Sequence, residues 1–389
     1  MPDHPPSSSP RPRRLLVRGV NWLGDAVMTT PALQRLREAL PAAHITLLTH
    51  EKLAALWQQH PSLDATVPFH AGERLWTVAQ RLRTGNFDTA LVLPNSPRSA
   101  LEVWLARIPQ RIGYAAPWRS WFLTRSLPAR PGLRRMHKRS AGEVNRLIGQ
   151  PAGAPGPVPG EPLPAIAHQV HEYLHLAAAF GVDPRPPPPK LHITPAEIQQ
   201  AEQTFLSDLG RKASGQPLVL LGMNPGAQYG PAKRWPAESF AAVARAVSGR
   251  VGNCLWLAFG SETETGLCED ITRRAGGGVA NLAGRTSLRE LMALLKLCRV
   301  LLTNDSGPMH VAAALGTPVV VPFGSTAPEL TGPGLPGERQ HTLLKSAAPC
   351  SPCFRRACPI DLRCMTSITP DRVIEAVLQA LSLNQRLSR

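Results

Sequence analysis

Residues 14–40 read RLLVRGVNWLGDAVMTTPALQRLREAL. A short apolar run leads into a turn at Asn21 and Gly24, and apolar residues then recur at Val27, Leu33, Leu36 and Leu40, the spacing of one helical face. A strand running directly into an amphipathic helix is the opening of a doubly wound unit. HITLLTH (44–50) and FDTALVLPN (87–95) supply further strands, so the alternation predicts a parallel sheet covered by helices.

The same alternation restarts at Leu218. LVLLGMNPGA (218–227), CLWLAFG (254–260), RVLLTND (299–305) and TPVVVPFG (317–324) read as strands with their following turns. PAESFAAVARAV (236–247), SLRELMALLKLC (287–298) and GPMHVAAALG (307–316) read as helices. A last helix, TPDRVIEAVLQALS (369–382), has Thr369 as N-cap and Pro370 at its first position. Two Pro-rich stretches intervene: 151–165 reads as a surface loop, and 183–191, after a helical IAHQVHEYLHLAAAFGV (166–182), as an interdomain linker. The expected division is a basic tail at 1–13, a first α/β domain at 14–183, a linker at 184–190 and a second α/β domain at 191–389.

Composition narrows the function. With 43 Lys+Arg against 27 Asp+Glu the net charge is +16, a field that favours nucleic acid, anionic lipid or phosphorylated substrates. No apolar run is long enough to span a bilayer, and the N-terminal MPDHPPSSSPRPRR lacks the apolar stretch of a secretory signal, so a cytoplasmic chain is expected. Cys254, Cys268 and Cys298 stand singly in apolar context and read as core thiols.

In doubly wound sheets ligands bind beyond the carboxyl ends of the strands. The first such turn holds Asp25, which is either a helix cap or a catalytic base. Gly19 and Gly24 do not form the G-x-G-x-x-G spacing of a dinucleotide site. The second, NPGAQYGPAKRWP (224–236), combines Gly226 and Gly230 with Lys233 and Arg234 ahead of a helix, which suits a phosphate or diphosphate, the alternative being a basic surface loop. The third places Asn304, Asp305, Ser306 and Gly307 at a strand end with Pro308 opening a helix, and suits an anionic leaving group or a sugar hydroxyl. His310 follows, as a structural or a functional histidine, and FGSTAPE (323–329) adds another small-residue turn. The fourth, CSPCFRRACPIDLRC (350–364), sets Cys350, Cys353, Cys358 and Cys364 at metal-ligand spacing, for zinc or an iron–sulfur cluster, or as free or redox-active thiols.

Between residues 98 and 139 ten Lys and Arg side chains interleave with Trp104, Trp118 and Trp121, and Glu102 is the sole acid. That mixture suits a membrane surface, a phosphorylated glycolipid or single-stranded nucleic acid, with a solvated basic face as the bland alternative.

Three of these stretches in this order, NWLGDAVMTTPAL, PGAQYGPAKRWP and TNDSGPMHVAAALGTPVVVPFG, resemble the bacterial ADP-heptose:lipopolysaccharide heptosyltransferase family, and GPAKRWP is most similar to its heptosyltransferase II branch. The resemblance runs from about Leu15 to the final helix. It implies a GT-B fold of two Rossmann-like domains facing across a cleft, acceptor on the first and nucleotide sugar on the second. It implies Asp25 as the general base and Lys233 as the diphosphate contact, with Gly226, Ala227, Glu264, Thr286, Asp305, Ser306, Gly307 and His310 around the donor. Asn21, Trp22, Arg98, Arg111 and Arg119 are the expected acceptor contacts. The implied reaction moves L-glycero-D-manno-heptose from ADP-heptose to a phosphorylated heptosyl-Kdo2-lipid A, with inversion, at the inner face of the inner membrane. No cofactor is implied for transfer, since the motifs hold lysine and helix ends where a metal-dependent enzyme shows an Asp-x-Asp pair; structural zinc at the four cysteines is the remaining metal expectation. Another sugar-nucleotide transferase or epimerase of the same fold, and a nucleic-acid-binding protein, are the alternatives.

Overall fold

The computed structural model describes residues 11–149, 163–207 and 218–387; most of the expected tail and of the Pro-rich loop lies outside them. The chain divides into two compact units, Met1–Leu133 with Ile166–His192, and Arg134–Ala165 with Ile193–Arg389.

In the first unit six strands form one parallel sheet: β1 (Arg14–Arg18), β2 (His44–His50), β3 (Ala65–Phe69), β4 (Thr89–Val92), β5 (Gln110–Tyr114) and β6 (Arg125–Leu127), in the order β3-β2-β1-β4-β5-β6. Helices cover both faces, so Leu15, Leu16, Val17, Ile45 and Leu47 are fully buried and the central strands are continuously apolar. The outermost β3 carries Pro68, which cannot donate to a ladder and is tolerated at an edge. The helix expected from Asp25 to Leu40 is two, Leu23–Met28 and Thr30–Ala39. Pro31 lies in the first turn of the second, and the Thr29 and Thr30 hydroxyls donate back to the carbonyls of Ala26 and Val27 at 2.7 and 2.8 Å.

The second unit repeats this topology with β7 (Val219–Asn224), β8 (Cys254–Ala258), β9 (Val279–Asn281), β10 (Leu301–Thr303), β11 (Val319–Phe323) and β12 (Thr342–Lys345), ordered β12-β11-β10-β7-β8-β9 and parallel throughout. Trp256, Phe240 and Val377 join one core beneath it, the last from the C-terminal helix Pro370–Leu387. Cys254, Cys268 and Cys298 are buried, as their apolar context predicts.

The boundary differs from the expected one, because, among the described residues, 134–149 group with the second unit. The helix Ala141–Ile148, held by a Ser140–Glu143 capping box, buries Val144 against Cys350 and Cys353. Arg139 N–H donates to the Cys353 carbonyl at 3.0 Å, and the Arg355 guanidinium to the Arg139 carbonyl at 2.8 Å. Composition marks where the chain is rich in proline; packing decides which core a segment joins.

Candidate active site

Strand order reverses between β1 and β4 in the first sheet and between β7 and β10 in the second. Loops leaving the two strands at such a point diverge and open a crevice at their carboxyl ends. Most of the expected site residues fall near these two places; Arg111 does not.

At the β7/β10 point the Lys233 ammonium lies 2.6 Å from Asp305 Oδ2, and the Thr326 hydroxyl donates to the same oxygen at 2.7 Å. Asp305 is buried, while Lys233 retains some exposure. The ammonium also stands 5.0 Å from the centre of the Tyr229 ring, which the Arg356 guanidinium approaches at 5.2 Å. Neighbouring asparagines fix the two loops to each other. Asn224 Nδ2 donates to the Ser306 hydroxyl at 3.2 Å, and Asn304 accepts from Trp235 N–H at 3.0 Å while donating to the Pro225 carbonyl at 2.6 Å. Ser306 is the N-cap of the helix Gly307–Ala314 without a side-chain cap bond, so the first N–H groups of that helix face the same end of the sheet. His310 is buried early in this helix.

Glu264 closes the other flank. Its Oε2 accepts from the N–H and hydroxyl of Ser261, both at 2.9 Å, and its Oε1 occupies the space above Gly226, where a Cβ would lie 2.0 Å away. Ala227 is buried. Thr286 lies in the turn after β9, whose Gly284 N–H bonds to the Gly260 carbonyl at 3.0 Å beside Glu264. Thr326, Tyr229 and Asn224 were not singled out by residue in the sequence. All three fall inside stretches flagged there, but only the fold brings Thr326 onto Asp305.

The cysteine segment braces this site. Tyr229 Oη donates to the Phe354 carbonyl at 3.1 Å and Ala232 N–H to the Arg356 carbonyl at 3.0 Å. A Cβ on Gly230 would come within 2.4 Å of that carbonyl, so the close approach requires glycine. On its other side Cys353 and Phe354 N–H groups donate to the Ser325 carbonyl at 3.1 and 2.7 Å. The expected zinc or iron–sulfur centre is not supported: among the described residues no group of three or more His, Cys, Asp or Glu is arranged to hold a metal ion. Cys350, Cys353 and Cys364 are buried, and burial, followed by the neighbouring thiols, pushes Cys364 up to about 12.

At the β1/β4 point Asp25 lies in the first turn of Leu23–Met28, whose N-cap is Trp22. Asp25 is therefore inside the helix rather than its cap. Burial first, and the Asp25 carboxylate second, push the Tyr173 hydroxyl well above its ordinary value; Gln169 Nε2 donates to that hydroxyl at 2.8 Å. Beneath the loop Arg18 and Glu102, both buried, pair at 2.9 Å, and Arg18 Nη1 also donates to Asn21 Oδ1 at 2.9 Å. Asn21 and Trp22 are exposed.

The expected arginines divide. Arg98 is partly exposed and pairs with Glu102 at 3.3 Å, whereas Arg111 is half-buried with donors on the Phe122 and Ile108 carbonyls. Arg119 is fully buried, its guanidinium committed to the carbonyls of Tyr114, Pro94 and Val92, and it pins loops instead of facing a ligand. Sequence cannot distinguish an arginine turned inward onto carbonyls from one turned outward.

Comparison with known proteins gives the family. Residues 75–142 and 162–363 match glycosyltransferase family 9 (heptosyltransferase). The lipopolysaccharide heptosyltransferase 2 of Salmonella typhimurium is 28% identical over 330 residues, 82% of this chain and 85% of that protein. The lipooligosaccharide heptosyltransferase 2 of Haemophilus ducreyi is 30% identical over 331 residues, 82% and 86% of the two chains. Among solved structures, E. coli ADP-heptose lps heptosyltransferase II superposes with a TM-score of 0.72 at 26% identity, covering 96% of this chain and 99% of that one. The chain belongs to glycosyltransferase family 9 and has the GT-B fold. Its activity class is glycosyl transfer, which takes the place of the epimerase and nucleic-acid alternatives.

Proposed function

We propose that this glycosyltransferase moves L-glycero-D-manno-heptose from ADP-heptose onto heptosyl-Kdo2-lipid A in the assembly of the lipopolysaccharide inner core. The observation that carries the site assignment is the Lys233–Asp305–Thr326 cluster at the β7/β10 reversal. In the reading that follows, the second unit binds the donor and the first binds the acceptor. Lys233 and the N–H groups at the start of Gly307–Ala314 meet the diphosphate, while Asp305 and Thr326 fix the ammonium in position. Glu264, with Gly226, Ala227 and Thr286 around it, meets the ribose side of the nucleotide.

Asp25 accepts the proton of an acceptor hydroxyl as that oxygen attacks the anomeric carbon from the face opposite the diphosphate. The bond to the diphosphate oxygen breaks, ADP departs with the electron pair, and configuration inverts. Negative charge grows on the departing oxygen only as that bond breaks, so cationic and N–H partners there lower the barrier more than they stabilise the bound donor. The scheme requires no cofactor. Among the described residues no helix is long and apolar enough to cross a membrane, so association with the inner face of the inner membrane would be peripheral.

The test is ADP release from ADP-heptose with heptosyl-Kdo2-lipid A, beside an Asp25→Ala variant. The wild type adds one heptose, and the variant binds ADP-heptose with unchanged affinity while transferring about a thousandfold more slowly. Transfer by the variant at the wild-type rate would remove Asp25 as the base; absence of ADP release by the wild type would remove this donor and acceptor pair.

A further inference from the structure

The loop between β5 and β6 exposes an aromatic cluster that the chemistry above does not use. Trp118 and Trp121 are 71% and 74% exposed, with ring centroids 5.2 Å apart, and Trp104, 46% exposed, packs edge-on to the neighbouring Phe122 at 5.7 Å. Scattered exposed apolar residues are ordinary, but a contiguous aromatic patch marks an interaction surface.

This exposure is built into the loop. Arg119 turns fully inward onto three backbone carbonyls, Ser120 Oγ accepts from the Ala116 N–H at 3.2 Å, and Trp118 adopts a left-handed φ of 61°. With Arg119 pinned beneath the loop, Trp118 before it and Trp121 two residues after it point outward. A flexible loop could fold its tryptophans back onto the protein; this one is tied down at the residue between them.

The surroundings identify the partner. Arg107 and Arg125 are exposed on the flanking turn and strand, and no Asp or Glu occurs from residue 103 to residue 133. Exposed indole rings on an acid-free stretch that also exposes arginines suit the headgroup layer of an anionic bilayer, where the ring sits at the apolar boundary and the guanidinium meets phosphate. We propose that Trp118 and Trp121 insert into the interface of an anionic lipid bilayer and dock the first unit on it. Arg119 reaches Val92 and Pro94 at the carboxyl end of β4, the neighbour of β1, so the Trp118 end of the patch lies at the edge that carries Asp25, whereas Arg107, before β5, and Arg125, opening β6, lie toward the amino ends of their strands. The docking deepens, and for its purpose rests on, the assignment of a lipid-anchored acceptor; it would deliver that acceptor's sugar to the Asp25 loop from the bilayer.

The experiment uses the full chain with vesicles of phosphatidylcholine alone or mixed equally with phosphatidylglycerol, in flotation and in quenching of tryptophan emission by brominated lipid. The wild type binds the anionic vesicles and is quenched. The double variant Trp118→Ala/Trp121→Ala binds at least about tenfold more weakly with unchanged thermal melting, while Trp76→Ala, a half-exposed tryptophan on another helix, binds as wild type. Equal binding by the double variant, or no binding by the wild type, overturns the proposal. So does self-association without lipid that the double variant abolishes, which would assign the face to a second copy. Transfer to a deacylated, water-soluble acceptor separates the two readings: its absence in the wild type defeats the acceptor assignment and leaves the vesicle result standing. The double variant keeps full activity on that soluble acceptor and loses it on acceptor embedded in vesicles.

Discussion

The two units share one strand order and place charge at its reversal point in opposite ways. Under the β1/β4 loops the charges are buried: Arg18 pairs with Glu102 and reaches Asn21, and Arg119 holds the β4 and β5 loops by their carbonyls. At the β7/β10 point the Lys233–Asp305 pair stands at the sheet edge, with Lys233 partly open to solvent. A buried pair costs more in desolvation than it returns in attraction unless its geometry is good, and its use is to fix structure. A pair at an edge can exchange a partner for a ligand. The ion pairs of the first unit therefore fix its shape, and in the proposed reading the pair of the second unit meets the donor.

The largest effect expected from this contrast is on stability. Glu102→Ala leaves Arg18 buried without its carboxylate and removes the partner of Arg98, and should cost about 3–5 kcal/mol in urea unfolding. Asp305→Ala should cost clearly less, because Lys233 can turn to water. Equal losses would erase the distinction between the two pairs.

Next in size is a pH effect confined to the first unit. His60 is buried, and desolvation lowers it from the usual 6.5 to about 4. Below pH 6.5 the unfolded chain binds a proton that the folded chain refuses until about pH 4, so stability falls as pH drops through that window. The loss should total on the order of 3 kcal/mol. Hydrogen exchange measured by segment should show it in the first unit, and His60→Gln should flatten it. A slope unchanged in the variant would reassign it to another group.

The same contrast governs what could be read in the sequence. Strands buried on both faces, such as LLV in β1, LLGM in β7 and VVVPF in β11, appear as apolar runs and were legible. The strands β3, β5, β6, β9 and β12 did not stand out, because each is an edge strand or, for β5, its neighbour and is short, polar or half-exposed. At the site, Lys233 and Asp305 were legible because glycine-rich loops at strand ends announce them. Thr326 was hidden, since its meeting with Asp305, 21 residues earlier, exists only after β11 is laid beside β10. Arg119 misled for a matching reason: Trp118 and Trp121 beside it are exposed while it is not.

A moderate effect is expected where the edge pair meets the proposed donor. Lys233→Ala should weaken ADP-heptose binding about 10- to 100-fold, the worth of one charge-assisted contact, with a loss of melting temperature smaller than that of Glu102→Ala, because the buried Asp305 keeps only the Thr326 hydroxyl. Titration calorimetry with ADP-heptose measures it. A large stability loss with unchanged affinity would make Lys233 another buried-pair residue, like Arg18, and would dissolve the contrast between the units.

The smallest effect is also the sharpest test, because it asks the same question of a glycine in each unit. At Gly226 an added methyl meets only the end of a side chain, Glu264 Oε1 at 2.0 Å, which can swing away. At Gly19 it would press on the Leu48 carbonyl at 3.1 Å as well as on Leu47, and backbone inside a sheet cannot yield as readily. Gly226→Ala should therefore leave stability nearly unchanged and lower donor affinity by less than about tenfold, by displacing the Glu264 carboxylate from its place beside the nucleotide. Gly19→Ala should lower stability and leave donor affinity alone. If Gly226 acts through Glu264, the pair Gly226→Ala/Glu264→Ala should bind ADP-heptose no worse than Glu264→Ala alone, since the methyl then has nothing to displace. Additive losses would mean that the methyl obstructs the ligand itself, and the ribose contact would pass from Glu264 to the backbone at Gly226.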